Sequence, residues 1–318
     1  MPGDDSPPLL ARRLLFVTGK GGVGKTTVAA ALAQLAVSNG RKVLACEVDA
    51  KGALPAAFEA APVGFEPREV EPGLRLMAMD TEASLREYLR IQLRLPRGTP
   101  LGPLASTFDF VADAAPGVKE IVTVGKLAYE VRERHHDLVV VDAPASGHVV
   151  AQLAAPRAIS ELVKVGLIRT QTDWIQAILH DRAKTGVVVV CTPEEMPVTE
   201  TIELVASIRA ATSVDVAAIV VNRVLPELFG RAEEDVFERL SAPSTRSRLE
   251  AAVGPAVGPV LEGARLAVQL RRSRAAHLDR LRESLPDVPL IYLPMLFARP
   301  HGARATRVLA DALADELG

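Results

Sequence analysis

Two lysines, Lys20 and Lys25, share one glycine-rich stretch, FVTGKGGVGKTT, at residues 16–27. Residues 19–26 fit the pattern G-x-x-x-x-G-K-[ST], which binds phosphate when it follows a strand and opens a helix. Gly19, Gly21, Gly22 and Gly24, with Val23 among them, let backbone N–H groups approach phosphate oxygens. Lys25 can reach the β and γ oxygens, and the Thr26 hydroxyl can bind Mg²⁺. Thr27 completes the set at the start of the helix, whose N-terminal dipole adds to the attraction for an anion. One lysine is enough to hold a phosphate, so Lys20 needs a different explanation.

The elements that must carry this loop are legible around it. RLLFVT (13–18) is a short apolar run ending at the glycines. The alanine-rich TTVAAALAQLAVSNG favours helix, with Asn39-Gly40 as its stop. KVLACEVD (42–49) reads as a second strand, which makes a βαβ unit and predicts a parallel sheet. Further strands are predicted at 74–80, 136–144, 185–193, 215–223 and 289–295, most of them continuous apolar runs suited to burial on both faces. The fold class is therefore α/β, a doubly wound, mostly parallel sheet. A helix is predicted over 193–211. Residues 81–135 and 148–184 are predicted to form a helical subdomain on one edge of the sheet, and 226–284 a second helical insertion rich in Arg and Glu. Residues 1–12 read as a flexible leader and 13–318 as one domain.

With Lys20 included, KGGVGKTT resembles the deviant Walker A loop of the dimeric P-loop ATPases. These include ArsA and its eukaryotic targeting relatives, the ParA and MinD partition ATPases, and the nitrogenase iron protein. The resemblance implies that Lys20 reaches across a dimer to the partner's nucleotide, delivering positive charge in trans as an arginine finger does.

Downstream segments narrow it to the ArsA type. EVDAKGALPAAF (47–58) looks like that family's switch I. There an aspartate after the second strand orients the attacking water and meets Mg²⁺ through its hydration shell; Asp49 stands in that place. VVVDAPASGH (139–148) looks like switch II, with Ala143 and Ser146 where the family carries threonine. The resemblance gives Asp142 to Mg²⁺ through water and the Gly147 N–H to the γ-phosphate, and it makes His148 a link to the helical subdomain. AIVVNRV (218–224) places Asn222 as the adenine reader, so ATP is expected over GTP. LPMLFARPHG (293–302) resembles the loop over the base, with Pro294 in contact, although Arg299 to Gly302 departs from the family pattern. The resemblance spans 13–318 and is closest to short bacterial ArsA-like proteins such as the paired mycobacterial ATPases. It implies an Mg²⁺-dependent ATPase that works as a homodimer or as a heterodimer with a paralogous ArsA-like chain. Its client would be a protein or small molecule, membrane-associated or free.

Composition limits the remaining classes. The chain has 318 residues, 48% of them hydrophobic, and a formal charge of −2, so no global charge points to nucleic acid or an anionic membrane. It has two cysteines, Cys46 and Cys191, each in an apolar run and read as a buried strand thiol. Two are too few for a metalloid-binding cysteine triad, and no C-x-x-C pair is present for a zinc clamp, so zinc is not expected. The N-terminus, MPGDDSPPLLARR, lacks the basic start and apolar run of a signal peptide, and a cytoplasmic protein is expected. The alternative is a positioning switch of the ParA or MinD kind. The DNA version would draw on the arginines of QLRRSRAAHLDRLR (269–282), but these read as a solvated helix face balanced by the nearby RAEEDVFERL (231–240), so nucleic acid is not expected. Asp311, Asp315 and Glu316 near the C-terminus argue against a basic membrane-binding helix.

Overall fold

The computed structural model describes residues 8–49, 51–92, 117–162, 165–227, 230–240, 242–297 and 302–318. Its strands are β1 (Leu14–Gly19), β2 (Val43–Glu47), β3 (Arg68–Glu71), β4 (Leu74–Ala78), β5 (Leu138–Asp142), β6 (Thr185–Cys191), β7 (Val216–Val224) and β8 (Leu290–Pro294), and all but β3 are short, largely apolar runs. Among the described residues they form one sheet in the order β3-β4-β2-β5-β1-β6-β7-β8. Neighbouring strands are parallel except β3, which runs antiparallel to β4. Every residue of β1, β2, β5 and β6 is buried, as expected for strands covered on both faces. β3 was not predicted. Its Arg68, Glu69 and Glu71 make an edge strand with no apolar run.

On one face lie α1 (Lys25–Ser38), α2 (Ala53–Ala57) and α11 (Gly302–Leu317). Residues 28–33 of α1 are fully buried, and the small alanines there let the helix sit close to both the sheet and α11. The other face is covered by α4 (Val118–Glu133), α5 (Ser146–Leu162), α6 (Leu167–Leu179) and α7 (Glu195–Ala211). The stretches 81–135 and 148–184 thus differ in position from the sequence reading. α3 (Thr81–Gln92) packs on α4, while α4 and α5 contact β1 at the centre of the sheet, with Phe16 and Val141 meeting Leu127 and Val149 in one core. They are a face layer because β5, between the two stretches, lies beside β1 in the middle of the sheet. Residues 93–116 of that prediction lie outside the described residues.

After β7 come α8 (Arg231–Leu240), α9 (Pro243–Val253) and α10 (Val257–Ser284). α10 has 28 residues and buries Gly258 and Leu281, so much of its length faces solvent. Its C-terminal half is tied to α7 by hydrogen bonding of Arg280 to Thr199 at 3.0 Å. At the N-terminus, residues 1–7 lie outside the described residues. The rest of the expected leader is anchored: Arg12 is 1% exposed and donates to the Thr185 carbonyl at 2.7 Å and to Asp215 at 2.6 Å.

Candidate functional site

The glycine loop joins the C-terminal end of β1 to the N-terminus of α1, where an open parallel sheet presents its ligand crevice. Two glycines are required by contact. A Cβ on Gly19 would come 2.2 Å from the Val190 carbonyl oxygen on β6. Gly24 caps α1 at φ 97°, and its Cβ would meet Asn222 Nδ2 at 2.4 Å. Lys25 curls back over the loop, with Nζ donating to the Lys20 carbonyl at 3.2 Å. Partial burial holds its pKa below the ordinary lysine range, against the opposing pull of Asp142 and Asp49.

Thr26 and Asp142 are 116 residues apart in sequence, and the Thr26 hydroxyl donates to Asp142 Oδ2 at 2.6 Å. Asp142 ends β5, next to β1 in the sheet, which brings its carboxylate to the loop. Burial pushes its pKa up to about 6; the Thr26 hydrogen bond and Lys25 oppose that shift, while Glu47 and Asp49 add to it. The two oxygen-bearing groups make a hard donor set that suits Mg²⁺.

The remaining predicted residues lie around this centre at different depths. Asp49 sits on the loop after β2, 47% exposed, with Lys51 at 3.4 Å. Gly147 is exposed in the first turn of α5, and a Cβ there would meet no atom within 4 Å. His148, beside it, is exposed as well. Lys20 is 51% exposed and forms an ion pair with Glu200 of α7. Asn222 is buried and ties β7 to the loop: Nδ2 donates to the Val23 carbonyl at 2.9 Å, and Oδ1 accepts the Arg223 N–H at 2.9 Å. Among the described residues, these two bonds leave one amide proton and one acceptor position of Asn222 without a partner. A cleft of about 490 Å³ begins at Gly24, Thr26 and Thr27 and passes between α2 and the end of β8. Asn222, Pro294 and Ala57 also line it, which gives it polar and apolar contacts suited to a nucleotide base. Residues 298–301 of the expected base loop lie outside the described residues.

Two residues near the site were missed from sequence. Glu200 is on a helix with no motif, so its meeting with Lys20 had no local signal. Glu47 could have been found: it is a carboxylate that ends the apolar run VLACE, at a strand position that is buried in the sheet.

Comparison with known proteins places these features in context. The family model described as "Anion-transporting ATPase" matches residues 12–173 and 168–240. The protein named ATPase BagA of Mycobacterium tuberculosis is 31% identical over 225 residues, covering 67% of this chain and 66% of its own length. The chain thus spans just under two thirds of the mycobacterial relative it matches. ATPase ASNA1 homolog 1 of Paramecium tetraurelia is 26% identical over 250 residues, 66% of this chain and 74% of that protein.

Proposed function

The chain belongs to the anion-transporting ATPase family, and from that premise we propose that it binds and hydrolyses Mg²⁺-ATP in the cleft beside its glycine loop, working as one half of a dimer. The observation that carries this reading is the convergence of Lys25, Thr26 and Asp142 at the carboxyl ends of β1 and β5. A basic nitrogen lies over the glycine loop, against the Lys20 carbonyl, and a hydroxyl and a carboxylate meet 2.6 Å apart beside it.

Each residue then has a role. The loop N–H groups and Lys25 hold the phosphates. Thr26 and Asp142, with Asp49 nearby, hold Mg²⁺, which when bound neutralises charge on the phosphate oxygens. Asp49 orients the attacking water, and Asn222 reads adenine with its remaining donor and acceptor. Lys20 acts in the partner's site, which requires it to exchange Glu200 for phosphate oxygens as the dimer closes. The partner is a second copy or a paralogous chain. The closure drives binding of a protein or small-molecule client in the cytoplasm. Among the described residues, no helix is long and apolar enough to cross a membrane.

The DNA-scaffold reading is weakened by the surroundings of the arginines that suggested it. Arg271, Arg272 and Arg274 pair with Glu227, Glu238 and Glu194, and Arg282 pairs with Asp279. Charges so balanced offer little to a phosphate backbone.

The test is subunit mixing. Lys20→Ala and Asp49→Ala are each expected to be nearly inactive alone. After exchange, turnover returns, because the Lys20→Ala subunit keeps Asp49 and receives Lys20 from its partner. For a paired paralogue the substitutions go on opposite chains. Exchange verified by mass, with no regained turnover, would overturn the arrangement in trans.

A further inference from the structure

The roles above leave one buried carboxylate at the site unused. Glu47, the last residue of β2, is 3% exposed. One of its oxygens accepts the Gly52 N–H at 3.1 Å and the other accepts the Ala53 N–H at 2.9 Å. Gly52 has φ 77°, a left-handed geometry that glycine adopts freely, where the loop enters α2. The backbone of Glu47 is itself fixed on both sides. It stands opposite Asp142 in the parallel pairing of β2 with β5, and its carbonyl accepts the Met79 N–H at 2.8 Å beyond β4. The next residue, Val48, donates its N–H to the Asp142 carbonyl at 3.2 Å. A side chain rooted at the end of β2 thus closes the loop that carries Asp49, and the root lies beside the strand end that carries Asp142.

From this closure we infer that Glu47 is a positioning residue for ATP hydrolysis. By joining the two ends of the loop it fixes Asp49 relative to the Thr26–Asp142 pair. The inference rests on the reading of Asp49 given above. Among the described residues, the side-chain contact of Asp49 is a surface pair with Lys51, which restrains it weakly. Its position therefore depends on how the loop's ends are held. A purely structural role as a cap for α2 fits less well. That short helix is held independently by buried Leu54 and by the Thr306 hydroxyl, which donates to the Ala57 carbonyl at 2.9 Å. A buried carboxylate also carries a desolvation cost, which the two N–H groups offset by satisfying both oxygens.

Glu47→Ala, Glu47→Gln, Asp49→Asn and the double variant Glu47→Ala/Asp49→Asn separate these roles by kcat, KM for ATP and amide hydrogen exchange. In Glu47→Ala, kcat is expected to fall roughly ten- to a hundredfold, as for a misplaced catalytic group, while KM moves less than about threefold because the glycine loop is untouched. Exchange at Gly52 and Ala53 should speed up. Glu47→Gln keeps one acceptor and should fall between, and it carries the comparison if the alanine variant does not fold. The double variant should be no slower than Asp49→Asn, since both act through one group. Additive losses would overturn the inference. So would a kcat within about twofold of wild type in both Glu47 variants while Asp49→Asn is inactive. Full turnover by Asp49→Asn would instead sink the Asp49 reading, and a slow Glu47→Ala beside it would show Glu47 acting on something else.

Discussion

Two buried carboxylates mark the two ends of β5, and their surroundings differ in kind. Asp142, at the carboxyl end, has a hydroxyl as its close partner, and burial pushes its pKa up to about 6. Glu130, on α4 near the strand's amino end, has a cation. Lys126 lies 2.8 Å away and also meets Glu87 at 2.6 Å. His135 Nδ1 stands 2.9 Å from Glu130, and His136 Nδ1 stands 3.6 Å away. Burial by itself would raise Glu130; the histidines and Lys126 outweigh it and pull the pKa down to about 2. For Lys126 burial works downward, and the two glutamates overcome it and raise the pKa. A carboxylate matched to its own cation is finished as structure. One left with a hydroxyl and unfavourable ionisation still has something to gain from a ligand cation.

The largest effect that should separate the two ends is on stability. Lys126→Ala leaves Glu130 facing an emptied, water-poor space, and the loss is expected to be about 3–5 kcal/mol by urea denaturation. A loss under about 1 kcal/mol, the range of a surface pair, would mean that the cluster is better hydrated than its burial implies.

The second effect is on acid sensitivity. Glu130's folded pKa lies below the ordinary 4.5, so its stabilisation is present above about pH 4.5 and disappears as pH falls toward 2. On the order of 3 kcal/mol of stability should drain away over that window. Glu130→Gln should be less stable at neutral pH and show a flatter acid limb in melting temperature against pH. Parallel limbs for the two proteins would remove Glu130 from acid unfolding.

The smallest stability effect belongs to Asp142. Asp142→Asn keeps an acceptor for the Thr26 hydroxyl and removes a charge whose ionisation opposes folding as pH rises through 6. It should leave stability unchanged or raise it by about 1 kcal/mol while ATP turnover falls, the usual exchange at a functional site. Destabilisation by about 3 kcal/mol, as when a buried ion pair is broken, would make Asp142 structural and erase the contrast between the two ends.

The parts of this site that could be read from the sequence are those whose chemistry is local. The glycine loop follows a strand and opens a helix, and all three features lie within residues 14–38. Asp142 and Asn222 were legible through the family resemblance of the segments that carry them, VVVDAPASGH and AIVVNRV, each at or near the end of a buried strand. The charged edge strand β3 was not legible, since its residues carry no apolar pattern. Nor was the role of Lys126, whose partners Glu87 and Glu130 meet it only through packing of α3 on α4 and the turn of α4 itself.

The sequence by itself determined the apolar strands, the phosphate-binding loop and the shortage of cysteine that argues against a thiolate metal site. Each follows from residue type and near-neighbour spacing, which tertiary packing leaves intact. Tertiary structure alone decided which carboxylate met which partner. The order of strands set β5 beside β1 and brought Asp142 to Thr26. The pairing of β2 with β5 placed Glu47 beside Asp142, and the packing of α7 delivered Glu200 to Lys20. Electrostatic interactions depend on distance and burial, and neither can be counted along the chain.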